Sequence, residues 1–395
     1  MLSVKEATAK VLAQVEPMPG ETVELEACAG RVLAVPVVAA RPLPGFDNSA
    51  MDGYAVRAAE VPATLPVTAV SAAGAPLCTE PPPRTAVRIY TGAVMPPGLD
   101  AVVLQEDCSR HGDEVALPAI DAGANVRRAG EDIAPGELAV AAGIRLGAGE
   151  LGLLAALGVT HCQVVRRPKV AILATGDELV GVAQVPGPGQ LVDSSRYALA
   201  CAVRELGAEP HYLGIVPDEL AASERAIAAA LSYDVVLTTG GVSVGDRDFV
   251  KQAFTAAGVT IELWKVAMKP GKPLAFGRGG AALVFGLPGN PVSSMISFEL
   301  FVRPALLALT GARQRDRAMA PVTLSAGYRK AAGRAHYLRA QVVRRGAQLH
   351  ATPHAKQGSA MQTSLVGINA ILEIAAETTQ VEPGGTVNAL LLEAV

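Results

Sequence analysis

The sequence predicts an α/β protein with added β parts. A central, doubly wound, mostly parallel sheet is joined by an inserted small β domain and a C-terminal β-barrel-like domain. Three observations predict this. Between residues 168 and 311, β-branched runs alternate with amphipathic helical patterns, as in a parallel sheet with crossover helices. From residue 56 to about 125, short β-rich runs such as 86–90 and 101–104 alternate with Pro/Gly turns. Beyond the polar link at 314–317, strand patterns return at 335–343, 348–352, 370–374 and 387–392, with glycine turns between them.

Taken in order, Ser3 and Glu6 form a capping-box pattern, and Val4, Ala7, Val11, Leu12 and Val15 then share one helical face. Pro17 and Pro19 end that helix. Residues 22–40 are apolar, interrupted by Gly30 and Pro36, and read as a helical turn and a strand. The loop 41–54 is crowded with turn formers and holds Asp47, Ser49, Asp52 and Tyr54. Turn chemistry explains it as well as function does, because Asp and Asn stabilise turns with their own side chains. Thr91-Gly92 closes a strand, and 125–143 is a polar, glycine-punctuated return. A helix at 150–157 stops at Gly158. In the α/β part, a strand at 170–174 runs into Thr175-Gly176-Asp177-Glu178-Leu179, and Asp193-Ser194-Ser195 reads as a helix cap. Leu199, Ala202, Val203 and Leu206 line one face of that helix. A strand at 211–216 precedes a helix at 217–231, and a last helix runs from Pro291 to about residue 310, ended by Gly311.

The chemistry concentrates between 234 and 294. Val235 to Leu237 is a run suited to burial on both faces, and Gly240-Gly241 lets the backbone turn at the strand's carboxyl end, where open α/β sheets bind ligands. Asp246 and Asp248 follow. Lys269-Pro270-Gly271-Lys272 sets two ammonium groups on a stiff turn. Asn290-Pro291 is a helix start, with Asn as N-cap and Pro at the first helical position. A glycine pair after a strand is more often a plain turn than a ligand site, but three such turns in one sheet, with lysines inserted, favour a site. The chemistry they suggest is that of a polyphosphate ester with a divalent cation. The loops at 175–179, 217–219, 240–248 and 287–293 should share one edge of the sheet.

Composition excludes several classes. At 395 residues, half of them hydrophobic, the chain has room for two to four domains. A net charge of −3 without any Lys/Arg block argues against nucleic acid as a partner. The five cysteines are odd in number and far apart, so neither a disulfide framework nor a zinc site is indicated. No apolar run is expected to reach membrane-spanning length, the first ten residues do not read as a signal peptide, and a cytoplasmic protein is the expectation. His350 and His354 have helical metal-ligand spacing, but Pro353 and the strand context favour ordinary surface histidines. Gly241-Val242-Ser243-Val244-Gly245 matches a nucleophile elbow. A serine hydrolase would need an acid and then a histidine after Ser243, yet His336, His350 and His354 all lie in the terminal β part, so that reading is disfavoured.

Together these pieces resemble the molybdopterin molybdenumtransferase family, which includes the E domain of gephyrin. The markers are residues 46–56 (Phe46 through Asp52 and Tyr54 to Val56), 89–93 with Thr91, 130–133 with Asp132, 175–179, 240–245, 269–273 and 287–291. The C-terminal part matches most loosely, through 337–340 and 357–359. The resemblance implies a four-part, elongated subunit that forms a homodimer: 1–25, 43–53 and 131–167 as an N-terminal composite and dimerisation domain, 26–42 and 54–130 as the inserted β domain, 168–312 as the α/β unit, and 313–395 as the terminal β domain. It implies adenylylated molybdopterin and molybdate as substrates, with Mg²⁺, and a cleft between the inserted β domain of one subunit and the sheet of the other. Thr175, Gly176, Gly240, Gly241, Ser243, Gly271, Pro288, Asn290, Pro291, Arg339 and Ser359 are then candidates for holding the nucleotide-bearing substrate. Lys269 and Lys272 suit a small tetrahedral oxyanion, with Lys265 nearby in an expected strand. Glu178 and Asp248 are hard oxygen ligands suited to Mg²⁺. Asp52, Thr91, Asp132 and Asp218 match cleft positions, for metal binding, water activation or structural hydrogen bonding. Partners implied are an adenylyltransferase upstream and acceptor molybdoenzymes downstream. The molybdopterin adenylyltransferases, which share the sheet but lack the 47–54 segment and both β domains, and a gephyrin-like scaffold remain the alternatives.

Overall fold

The computed structural model describes residues 1–241 and 249–393. At its centre is a six-stranded sheet in the order Glu209–Val216, Lys169–Thr175, Val235–Thr239, Ala282–Leu287, Ala275–Gly279, Thr260–Leu263. The first four strands run parallel; Ala275–Gly279 runs against them, and the edge strand Thr260–Leu263, antiparallel to it, points the same way as the first four. The change of direction follows from the connections. Helices return the chain between the parallel strands, whereas only Gly280 and Ala281, with Gly280 at φ 59°, separate Ala275–Gly279 from Ala282–Leu287.

The alternation of side chains along each strand feeds two cores, one per face. Val170, Ile172, Val235 and Leu237 point into one, together with Ala7 and Val11 of the helix Val4–Leu12 and Leu199 and Val203 of Ser195–Glu205. Ala171, Leu173 and Val236 point into the other, with Ile227 of Leu220–Ala230 and Phe254 of Phe249–Ala256. This two-sided burial is why the strands read as unbroken apolar runs. Pro291–Leu309 forms one continuous helical stretch of 19 residues, with a π turn at Phe298–Val302. By length and hydropathy it is sufficient to cross a membrane, which corrects the expectation that no run reaches that length. Its most apolar window is 83% buried inside the protein, as a core helix.

The chain leaves Lys169–Thr175 for a neighbour on one side, Glu209–Val216, and returns to a neighbour on the other, Val235–Thr239. A crevice therefore opens at the carboxyl ends of these strands, at the switch point of the sheet. The terminal part closes into a five-stranded barrel: Ala335–Arg345, Gln348–Pro353, Met319–Leu324, Thr386–Leu391 and Ala370–Ile374, the last pairing back to the first. Val322, Leu338, Val342, Leu372 and Ala389 fill it. The two-residue strand Met268–Lys269 pairs with the start of Ala335–Arg345, which ties the Lys-Pro-Gly-Lys turn to the barrel.

The inserted part is a curled six-stranded sheet, in the order Ala101–Leu104, Gly53–Val56, Ala86–Ile89, Ala63–Ser71, Glu114–Leu117, Ser109–His111. Tyr54 and Val56 pack on one side and Ala55, Val87 and Ile89 on the other. Gly20–Glu24 pairs with His161–Val165, and the capping box of Ser3 and Glu6 is formed as the sequence predicts. Segment 26–42 makes its strand pairs with 138–165 rather than with the inserted sheet, and Cys28 and Leu33 pack against Leu146, Leu154 and Val164.

Candidate functional site

Three of the expected loops meet at the switch point. Thr175 Oγ1 donates to the Thr239 carbonyl at 3.2 Å. Gly240 has φ 91°, and a Cβ there would lie 2.5 Å from the Thr175 carbonyl oxygen, so only glycine fits. Gly289 in turn sits so that its Cβ would touch Gly240 Cα at 3.4 Å. Beside them, the Glu178 carboxylate folds over Gly176, and the Asp218 amide donates to Asp177 Oδ1 at 3.0 Å, joining the loops after two adjacent strands. Gly241 packs against Thr175 Oγ1 and Val250. Ser243, Asp246 and Asp248 lie outside the described residues. Among the described residues, no three Asp, Glu, His or Cys side chains form a metal-binding group.

Next to this edge, a cleft of about 660 Å³ opens between the sheet unit and the barrel. Lys269, Gly271, Lys272, Pro288, Asn290 and Ser359, all candidates from the sequence, line it. Arg334 and Lys356 line it too, and sequence reasoning missed them; Gln357, which the resemblance matched without a role, also lines it. Four cations therefore face one space, with no acidic residue in the lining and no ion pair to any of the four among the described residues. The turn that carries two of them is held rigidly. Gly271 has φ 95°, and a Cβ there would come within 2.8 Å of Ser297 Oγ in the long helix. His336, paired with Lys269 in register and bonded to Tyr328 Oη at 2.9 Å, registers the resulting potential. Burial, then Lys269, Lys330 and Arg334, push its pKa down to about 4.

Asn290 occupies the N-cap position with Pro291 next, but its side chain does not cap the helix. Its amide instead donates to Ser359 Oγ at 3.2 Å, while the Val292 amide donates to the Ser359 carbonyl at 3.2 Å. The barrel loop thus competes successfully for the groups a cap would have used. Arg339 does not reach the cleft, being fully buried. Its guanidinium donates to Ser364 Oγ at 3.1 Å and to the Lys356 and Gly358 carbonyls at 3.2 Å each, so it shapes the loop from within. Lys265 falls just beyond the strand Thr260–Leu263, not in a strand as expected, and is not part of the cleft wall.

The candidates of the inserted part form a separate group. Asp52 Oδ1 accepts from the Thr91 amide at 2.7 Å and from Thr91 Oγ1 at 2.8 Å. These bonds, with Arg88 nearby, hold its carboxyl below the usual carboxylate range. Arg88 stacks between Tyr54 and Tyr90. Asp132 is exposed on a loop fixed by its own amide to the Leu43 carbonyl. None of the three lines the 660 Å³ cleft of the same chain.

Fold and site define an α/β protein with a cation-lined cleft between its switch-point loops and a β-barrel. The chain matches the MoeA N-terminal region (domain I and II) over residues 2–158, the probable molybdopterin binding domain over 171–308 and the MoeA C-terminal region (domain IV) over 321–392. It is 38% identical to the molybdopterin molybdenumtransferase of Haemophilus influenzae, covering 98% of each chain, and 36% identical to that of Bacillus subtilis, covering 94% of this chain and 90% of the other. The crystal structure of the molybdopterin biosynthesis moeA protein from Pyrococcus horikoshii OT3 superposes with a TM-score of 0.87 at 30% identity, over 99% of this chain and 100% of the other. The chain belongs to the molybdopterin molybdenumtransferase (MoeA) family.

Proposed function

We propose that this chain is a cytoplasmic, homodimeric molybdopterin molybdenumtransferase: it inserts molybdenum from molybdate into adenylylated molybdopterin, releasing AMP and forming molybdenum cofactor. The observation that carries the reading is the four-cation cleft beside the switch-point loops. Molybdate is a small dianion, and Lys269 and Lys272 offer it point charges on a fixed turn, which suits a tetrahedral oxyanion better than a planar fork would. The phosphoanhydride of the other substrate suits the backbone N–H groups of the Gly240-Gly241 turn and the polar rim of Asn290 and Ser359. Glu178, whose carboxylate has no hydrogen-bond or ion-pair partner among the described residues, and Asp248 are the residues we assign to Mg²⁺. A cation there would offset charge on the departing AMP. We further propose that Asp52, Thr91 and Asp132 reach this cleft from the partner subunit. The four-part division also stands as a proposal, with 26–42 counted in the N-terminal composite on the strength of its strand pairs. An adenylyltransferase would deliver the substrate and molybdoenzymes would accept the product.

The test is molybdate-dependent AMP release from adenylylated molybdopterin. Lys272→Met removes one charge-assisted contact, worth about 1.5–3 kcal/mol. The apparent KM for molybdate should rise about 10- to 100-fold, with less than threefold change in affinity for the adenylylated substrate. Equal losses for both would place Lys272 on the phosphates instead. AMP release that ignores molybdate would sink the reading.

A further inference from the structure

A second cavity, of about 440 Å³, lies at the opposite end of the central sheet. Arg166 and Arg167 on its wall immediately precede the strand Lys169–Thr175, whose far end carries the switch-point loops. Seven residues of strand put roughly 20 Å between the two ends. Six arginines line the cavity, namely Arg31, Arg145, Arg166, Arg167, Arg303 and Arg313, and no acidic residue does. Val32, Val165 and Leu307 contribute apolar wall.

Three of the six are neutralised from outside the lining. Arg31 pairs with Glu21, Arg166 with Asp234 at 2.6 Å, and Arg303 with Glu299 at 3.9 Å. Glu299 is shared, because Arg317 also binds it at 3.1 Å. The other three, Arg145, Arg167 and Arg313, have no carboxylate partner among the described residues; Arg145 reaches only the Glu205 carbonyl at 3.2 Å. Within the floor, Arg303 Nε is buried without any hydrogen bond. Burial first, then Arg317 and Arg145, hold the Arg303 guanidinium below its ordinary pKa. Arg313 is set in place by its neighbour: Gly143 has φ 81°, and a Cβ there would lie 2.8 Å from Arg313 Cγ. The stem of the arginine thus lies across the glycine, and the Arg313 amide donates to the Gly143 carbonyl at 3.0 Å.

Uncompensated guanidinium groups around a concave, partly apolar space are a recurrent way of recognising carboxylates and phosphates, because each fork donates two parallel hydrogen bonds. We propose that this cavity is a second anion-binding site, distinct from the substrate cleft, which takes a compact, multiply charged oxyanion such as a phosphate ester or a polycarboxylate. Arg303 lines its wall, and Arg145, Arg167 and Arg313, which have no carboxylate partner among the described residues, supply the charge at its mouth.

Isothermal titration calorimetry on the full chain, with pyrophosphate and separately with citrate, tests this. The substrate cleft also attracts anions, and it contributes equally when the parent chain is compared with the same chain carrying Arg167→Gln and Arg313→Gln. The expected result is one saturable site in the parent chain that weakens at least tenfold in the arginine variant, while binding at the cleft is the same in both, with unchanged far-UV circular dichroism. Tighter pyrophosphate marks a phosphate-type ligand, and tighter citrate a carboxylate-type one. Saturation by neither probe, or equal binding by both proteins, would overturn the assignment. If the arginine double variant does not fold, Gln substitution of Arg313 alone, read by the same weakening, carries the test.

Discussion

Arg339→Met isolates what a fully buried cation does for a cleft it never touches. Three charge-assisted hydrogen bonds are lost, to Ser364 Oγ and to the Lys356 and Gly358 carbonyls. At about 1.5–3 kcal/mol each, they sum to roughly 5–9 kcal/mol. Against this stands the cost of keeping a guanidinium out of water without a carboxylate partner, which is several kcal/mol. All three acceptors also keep other contacts: Ser364 Oγ still donates to the Met361 carbonyl at 2.6 Å, the Lys356 carbonyl still meets His354 Nδ1 at 3.3 Å, and the Gly358 carbonyl still accepts from the Met361 amide at 3.3 Å. A net loss of about 2–3 kcal/mol follows, and it should fall on the 354–361 loop rather than on the whole chain. Hydrogen exchange read by mass spectrometry over that loop should accelerate about 30- to 150-fold, at ~1.36 kcal/mol per tenfold. Exchange at the Val292 amide should rise with it, since its acceptor is the Ser359 carbonyl. Arg339→Lys, which keeps the charge but not the fork, should recover only part of the protection. Exchange within threefold of the parent protein would refute the idea that Arg339 holds the loop.

Further outcomes can be checked separately. Gly240→Ala should cost more than Gly258→Ala, because both have positive φ but only Gly240 faces an atom, Thr175 O, at 2.5 Å from the added Cβ. With backbone strain of about 1–2 kcal/mol common to both, equal unfolding midpoints would show that the close approach is not real. His336, with its pKa lowered to about 4 from an ordinary 6.5, is neutral in both folded and unfolded chains above pH 6.5. Below that the unfolded chain takes the proton first, so stability should fall by about 3 kcal/mol between pH 6.5 and 4. His336→Asn should flatten that acid limb in pH-dependent denaturation, and an unchanged limb would exclude His336 as its cause. At molybdate well below the KM of the Lys272→Met protein, mixed dimers of Asp52→Asn with Lys272→Met subunits should regain close to half the parent activity, while each homodimer is nearly inactive. Verified heterodimers that stay inactive would place both residues in one subunit's cleft.

The central sheet was legible because burial on both faces leaves a mark that survives in one dimension. Residues 170–174 and 235–237 are apolar without interruption, and once strand and helix alternate, chain topology puts their following loops on one edge. Gly240 and Gly271 were legible for a related reason, since close approach to Thr175 and to Ser297 tolerates no Cβ. Partners were harder to read than residue types. Asp52 and Thr91 stood out separately, but the bond between them spans 39 positions and depends on strand pairing in the inserted sheet. Arg334 and Lys356 were not legible at all. A surface cation on a β-hairpin and one lining a cleft have the same local sequence, and only barrel closure brings them to Lys269. Asn290 illustrates a competition the sequence cannot display: its capping chemistry was recognised correctly, but Ser359, 69 positions away, takes the side chain.

The same closure explains why the Lys-Pro-Gly-Lys turn stays fixed while its charges repel one another. Lys269 is exposed, yet its backbone is locked into the barrel opposite His336, and Gly271 is wedged against Ser297 of a helix that is itself core. Neither lysine can therefore relieve the repulsion by moving its backbone, and no acidic side chain lines the cleft to neutralise it. Burial is the main reason the pKa of His336 is low, and Lys269, Lys330 and Arg334 lower it further. A dianion settling between these groups removes part of the potential they create. Preorganised positive charge of this kind costs stability in the empty protein and returns it as affinity for the anion, with no reorganisation left to make when the anion arrives.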